Sequence, residues 1–100
     1  MIRLTEIELR EPDFNKFTAL ARTDQPTASL SGATAGDLDR SLRQRELRRP
    51  SGFADELRAV LSGTTGTWGA LTLLREARSP HFTPAEVRFV ASLAGALADG

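Results

Sequence analysis

One hundred residues, 40% of them hydrophobic and 26% charged, bound the chain to a single folded domain and exclude wholesale disorder. Thirteen basic and thirteen acidic side chains cancel, which excludes a global field that would draw the chain to nucleic acid or anionic lipid. The absence of cysteine excludes disulfides, thiolate nucleophiles and cysteine-type zinc sites.

No apolar run approaches the ~18 residues of a membrane span, and no signal-peptide pattern opens the chain, so a cytoplasmic protein without a membrane partner is expected. Residues Ile2 to Arg10 (IRLTEIELR) favour a strand with a bulge or irregular entry, because Ile2 and Leu4 fall in one phase and Ile7 and Leu9 in the other. "EPDFNKFTALART" predicts a short helix capped by Asp13, with Phe14, Phe17, Leu20 and Ala21 as its apolar face. The small, polar "PTASLSGATAG" reads as a loop with a brief extended piece over 27–30.

"DLDRSLRQRELRRP" predicts a helix from an Asp37 cap to Pro50. Leu38 and Leu42 share a face while Leu47 falls opposite, so either the helix breaks near Gln44 or two surfaces cover it. "DELRAVLSGTTGTWGALTLLRE" predicts a β-hairpin, with a turn centred on Gly63 to Gly66 and longer than the tight two-residue kind. Its second strand, Trp68 to Leu74, is apolar in both phases, the pattern of a strand inside a sheet covered on both sides.

The last helix carries the clearest signals. Thr83 is its cap, Pro84 its first residue, and Glu86 completes a capping box. Val87, Val90, Ala94, Leu97 and Ala98 form one apolar stripe, and Phe89, Leu93 and Ala96 widen it to roughly 200°, against the ≳100° that a surface helix needs. Such a helix is expected to bury two flanks, one on its own sheet and one on another body.

The stretch from Phe53 to Leu97, with its "DELR" and "WGALTLLRE" strands, "FTPAEV" helix start and alanine-rich helix, resembles the C-terminal part of the GAF-like sensory region of actinobacterial LuxR-type helix-turn-helix regulators. The upstream "EPDFNKFTALAR" and "LSGATAGDLDRSLRQRELRRP" are similar to the preceding segments of that region, so the resemblance covers nearly the whole chain. It implies signal sensing or dimerisation coupled to transcriptional regulation. The arginine-rich usage, twelve of the thirteen basic side chains, agrees with a GC-rich actinobacterial source. Two departures stand out: no helix-turn-helix follows the last helix, and the family's region starts upstream of Met1. The expectation is a single truncated GAF-like domain over 1–100 without its DNA-binding output.

The residues carry no catalytic constellation. His81 is the lone histidine, set in a turn between Pro80 and Phe82, and no G-x-S-x-G elbow or metal-ligand spacing accompanies it. The glycine pairs "GATAG" and "GTTG" lack the Walker lysine and the dinucleotide fingerprint, and read as loop and turn chemistry. Arg40, Arg43, Arg45, Arg48 and Arg49 form the one local basic patch. They offer phosphate contacts, but Asp37, Asp39 and Glu46 offer ion pairs along the same helix and no aromatic is interleaved.

The fold expected is α+β: a partial GAF-like antiparallel sheet with a C-terminal hairpin over about 56–75, packed by helices, and a long helix over 83–98. The function expected is a non-enzymatic regulatory module without cofactor or metal, forming a homodimer through Phe89, Val90, Leu93, Ala96 and Leu97. One alternative, implied by the resemblance, is a small-molecule pocket near Trp68 with Phe53 and Leu38. The other is nucleic-acid contact through the arginine run.

Overall fold

The computed structural model describes residues 2–64 and 66–99, with the side chains of residues 2, 98 and 99 outside that description. The architecture is α+β. Three strands, β1 (Thr27–Ser29), β2 (Phe53–Gly63) and β3 (Gly66–Glu76), form an antiparallel sheet in the order β1-β2-β3. Helix α1 (Ile2–Arg10), the single-turn helices α2 (Phe17–Leu20) and α3 (Leu30–Ala33), and the long α4 (Pro84–Asp99) complete the regular elements.

The hairpin follows from alternation and turn chemistry. Leu57, Ala59 and Leu61 project to one face of β2, where they meet Phe82, Val90 and Ala94, with Leu71 and Val87 packed alongside. Glu56, Arg58 and Val60 occupy the other phase. The register pairs Gly63 with Gly66, so the turn spans two residues rather than the longer loop expected. Gly66 has φ +113, a conformation that side chains other than hydrogen rarely adopt. Thr65 of this turn lies outside the described residues.

Helix α4 is capped as its sequence predicts. Thr83 Oγ1 accepts from Glu86 N at 3.1 Å and Glu86 Oε1 accepts from Thr83 N at 2.9 Å, which satisfies two backbone donors reciprocally. That backbone bond, together with nearby Arg75, holds the Glu86 carboxyl below its ordinary range. The helix lies across β2 and β1.

Four expectations need correction. Residues 2–10 form a helix: Leu4 and Ile7 stand three apart, and Ile7 is fully buried while Leu9 faces outward, so the broken alternation was helical periodicity. Asp13 does not cap a helix, because α2 begins at Phe17 and Asp13 is bonded to Arg43 instead. The helix predicted from Asp37 does break, one of the two readings of its leucines, but at Ser41 rather than Gln44: the Ser41 ψ of 128° is extended, after a 3-10 turn over Leu38–Arg40. The strand Trp68 to Leu74 is not enclosed: β3 is the edge of the sheet.

After Ser41 the chain re-enters a helix as a π turn over Gln44–Arg48, closed by Arg49 N donating to Gln44 O at 2.9 Å. In an α-helix Arg43 and Arg48, five residues apart, would point roughly 140° away from each other. The wider turn brings both to one side, where both meet Glu56.

Candidate functional site

Two regions of this small fold depart from ordinary burial. The first is ionic and interior. Arg43 donates to Glu56 from Nε at 3.0 and 3.2 Å and from Nη2 at 2.5 Å; it also reaches Asp13 Oδ2 at 3.1 Å and the Phe14 carbonyl at 3.0 Å. Arg48 Nε donates to Glu56 at 3.0 Å. Arg58 bonds Glu8 at 2.7 Å, stacks 3.9 Å over the Phe17 ring, and holds Nε 3.2 Å from Glu56 in a geometry that makes no hydrogen bond. Three guanidinium groups thus meet three carboxylates, and the cluster is neutral.

Burial pushes the Glu56 carboxyl up, but the hydrogen bond from Arg43 and the charges of Arg43, Arg58 and Arg48 outweigh it and hold the group below its ordinary value. Burial likewise lowers Arg43, and Glu56, Asp13 and Glu8 more than reverse this. For Arg58, burial prevails over the Glu56 charge, assisted by repulsion from Arg43, and its value falls. Arginine is nevertheless charged wherever the protein folds. The arrangement clamps α1, the segment before α2 and the π turn onto β2.

This cluster takes Arg43 and Arg48 out of the predicted basic patch and leaves Arg40, Arg45 and Arg49 exposed. Arg43 is fully buried and Arg48 is turned toward Glu56, so neither faces outward as a phosphate ligand. Arg49 is bonded to Asp39 at 2.5 Å, Arg45 to the Asp39 carbonyl at 3.1 Å, and Arg40 lies over the Phe14 ring. The carboxylate partners of the inward arginines come from distant parts of the chain, which is why the run reads as a surface.

The second region is apolar and exterior. Among the described residues no strand pairs with the outer edge of β3, and α4 leaves that strand for β2 and β1. Trp68 is 57% exposed and sits at a bulge, since Leu61 pairs with Gly69 and Ser62 with Thr67. Leu73 is also exposed, as are Phe89, Leu93 and Leu97 of α4. The flank of α4 that carries these leucines is turned toward β3. Glu86 is bonded to Arg75 of β3, and Leu93 and Leu97, seven and eleven residues on, share its side of the helix. Ala91, Ala94 and Gly95 border a cleft lined by Asp24, Gln25, Pro26 and Thr27, on the β1 side.

Of the five α4 residues expected at an interface, Phe89, Leu93, Ala96 and Leu97 are exposed, whereas Val90 is core. Ala98 of the same stripe lies outside the described side chains. Of the three pocket residues, Leu38 and Phe53 share an open cleft of about 360 Å³ with Gln44, Arg49, Ala77 and His81. Trp68 does not line it. Phe53 pairs with Glu76, at the end of the hairpin opposite the bulge. Gln44, missed by sequence reading, is 3% exposed; its Nε2 donates to the Phe53 carbonyl at 3.0 Å while its Oε1 has no hydrogen-bond partner.

Another residue the sequence did not mark is Asp55, fully buried on β2. Its carboxylate accepts from Ser31 N and Oγ, Glu56 N and Phe82 N at 2.6–3.0 Å, and so ties α3 and the entry to α4 to the sheet. No group of three or more His, Asp or Glu among the described residues is placed to hold a metal ion. No helix among them is long and apolar enough to cross a membrane. No protein-family model matches the chain, and neither a curated protein nor a solved structure matches it.

Proposed function

We propose that this chain is a non-catalytic, GAF-like regulatory module of the kind found in LuxR-type transcriptional regulators, and that its immediate physical task is self-association as a homodimer in the cytoplasm. The observation that carries this reading is the apolar surface along β3 and the adjoining flank of α4, with Trp68, Leu73, Phe89, Leu93 and Leu97 all exposed. Large exposed side chains concentrated on one edge strand and the helix beside it mark an interaction surface rather than scattered exposure. Two-fold homodimers are the commonest way to cover such a surface. Static light scattering over a concentration series tests the reading. A mass that rises to twice that of the chain supports it, and a constant monomer mass overturns it.

A second reading has one specific observation behind it. The open cleft walled by Leu38 and Phe53, with Gln44, Arg49 and His81 also in its lining, suits a small molecule that offers polar hydrogens and an apolar ring. Benzamide has both features and serves as a probe. Its titration is expected to shift the NMR signals of the Gln44 side-chain amide, and unchanged signals at millimolar probe would remove this reading.

A further inference from the structure

We propose that the partner on the β3 edge is a second copy of this chain, paired antiparallel about a two-fold axis through Leu71, so that two three-stranded sheets become one of six strands. The proposal rests on the self-association reading and assigns its geometry.

Edge strands in monomeric proteins are short, charged, kinked or covered, because their free N–H and C=O groups are templates for pairing. β3 is eleven residues long and carries no charge from Gly66 to Leu74. Its one irregularity, at Trp68, leaves Gly69 to Leu73 in regular register with β2. A central edge segment without charge is what a strand that pairs requires.

Charge fixes the direction. Arg75 and Glu76 lie together at one end of β3. Parallel pairing of two copies would set arginine beside arginine and glutamate beside glutamate. Antiparallel pairing moves these groups to opposite ends of the seam. Arg75 is already bonded to Glu86 and lies over the Phe82 ring, so it asks for no partner across the seam.

Side-chain size fixes the register. With Leu71 on the axis, Leu73 of one copy faces Gly69 of the other, large against small on the α4 face, and on the opposite face the two small side chains Ala70 and Thr72 meet. A two-fold axis perpendicular to the sheet keeps both α4 helices on the same face. Their Leu93 and Leu97 flanks, which are turned toward β3, then face each other across the seam above Leu71 and Leu73. One symmetric contact accounts for the bare edge, the exposed Leu73 of the sheet and the exposed leucines of the helix.

The experiment uses the absence of cysteine in the chain. Ala70→Cys and Thr72→Cys chains, checked for native circular dichroism, are mixed and oxidised. A disulfide-linked 70–72 heterodimer is expected. Either variant alone should cross-link poorly, because its thiols lie two positions out of register at ~7–8 Å, at or beyond disulfide reach. In the unmutated protein, amide exchange over 66–76 is expected to slow on the order of tenfold or more as concentration carries the chain from monomer to dimer. A dimer by light scattering with no 70–72 cross-link and no slowing in β3 overturns the edge geometry but leaves self-association standing. A monomer at every concentration overturns both.

Discussion

The two long strands of one hairpin invert each other. β2 contains Asp55, Glu56 and Arg58, and buries all three to 1% exposure or less. β3 contains Trp68, Leu71, Leu73 and Leu74, and leaves Trp68 and Leu73 exposed. Composition would assign them the other way round. Place in the sheet decides instead: β2 has a strand on each side and elements on both faces, whereas β3 has a neighbour on one side and lies off the path of α4. A buried charge then survives only with an opposite charge or hydrogen-bond donors beside it, and an exposed leucine signals surface still to be covered.

The strongest way to break this contrast is Glu56→Ala. It leaves Arg43, Arg48 and Arg58 facing one another without the carboxylate they share, and the loss expected is about 3–5 kcal/mol, read as a shift in the urea midpoint. Acid makes a milder version of the same change. Because the folded value of Glu56 lies below its ordinary 4.5, its contribution is present in full above that value and lost as pH falls through the folded value. Unfolding midpoints measured from neutral pH downward should decline in that window, and less so in Glu56→Gln.

Asp55→Ala tests the buried carboxylate that is held by backbone and hydroxyl donors rather than by arginine. It strips the backbone N–H groups of Ser31 and Phe82 of their acceptor, and about 1–3 kcal/mol is expected from denaturation. Removing the α4 cap by Thr83→Ala is expected to cost about 1 kcal/mol. Smallest of all on the fold is the joint change Phe89→Ser and Leu93→Ser, within about 0.5 kcal/mol at each exposed site. That variant should nevertheless lower the light-scattering mass at a concentration where the parent chain is dimeric, the sharpest separation of surface from core.

What the sequence disclosed was local. The capping box of Thr83 and Glu86, the hairpin with its glycine turn and the brief strand after Pro26 each rest on neighbours within a few residues. What it concealed depended on distant partners. The arginine run looks solvated until Glu56 arrives from β2 and Asp13 from the segment before α2. Residues 2–10 read as a strand with broken alternation, and the inward placing of Leu4 and Ile7, three apart, is a helical spacing visible only once the core is known. Trp68 looks like pocket material on the resemblance and on its strand's apolar phases, but at the bulge on the edge strand it is exposed. Gln44 had no sequence signal, since its isolation is a property of the packing around the Phe53 carbonyl.

The π turn at Gln44–Arg48 has a consequence for tolerance to changes in length. Its wider winding accommodates one more residue than an ordinary helical turn, and that surplus is what sets Arg43 and Arg48 over the same carboxylate. Deleting exposed Arg45 would restore α-helical winding without touching a buried group, yet it would swing Arg48 off Glu56. At this point the chain is sensitive to counting rather than to chemistry: a substitution of Arg45 is harmless, and its removal is not.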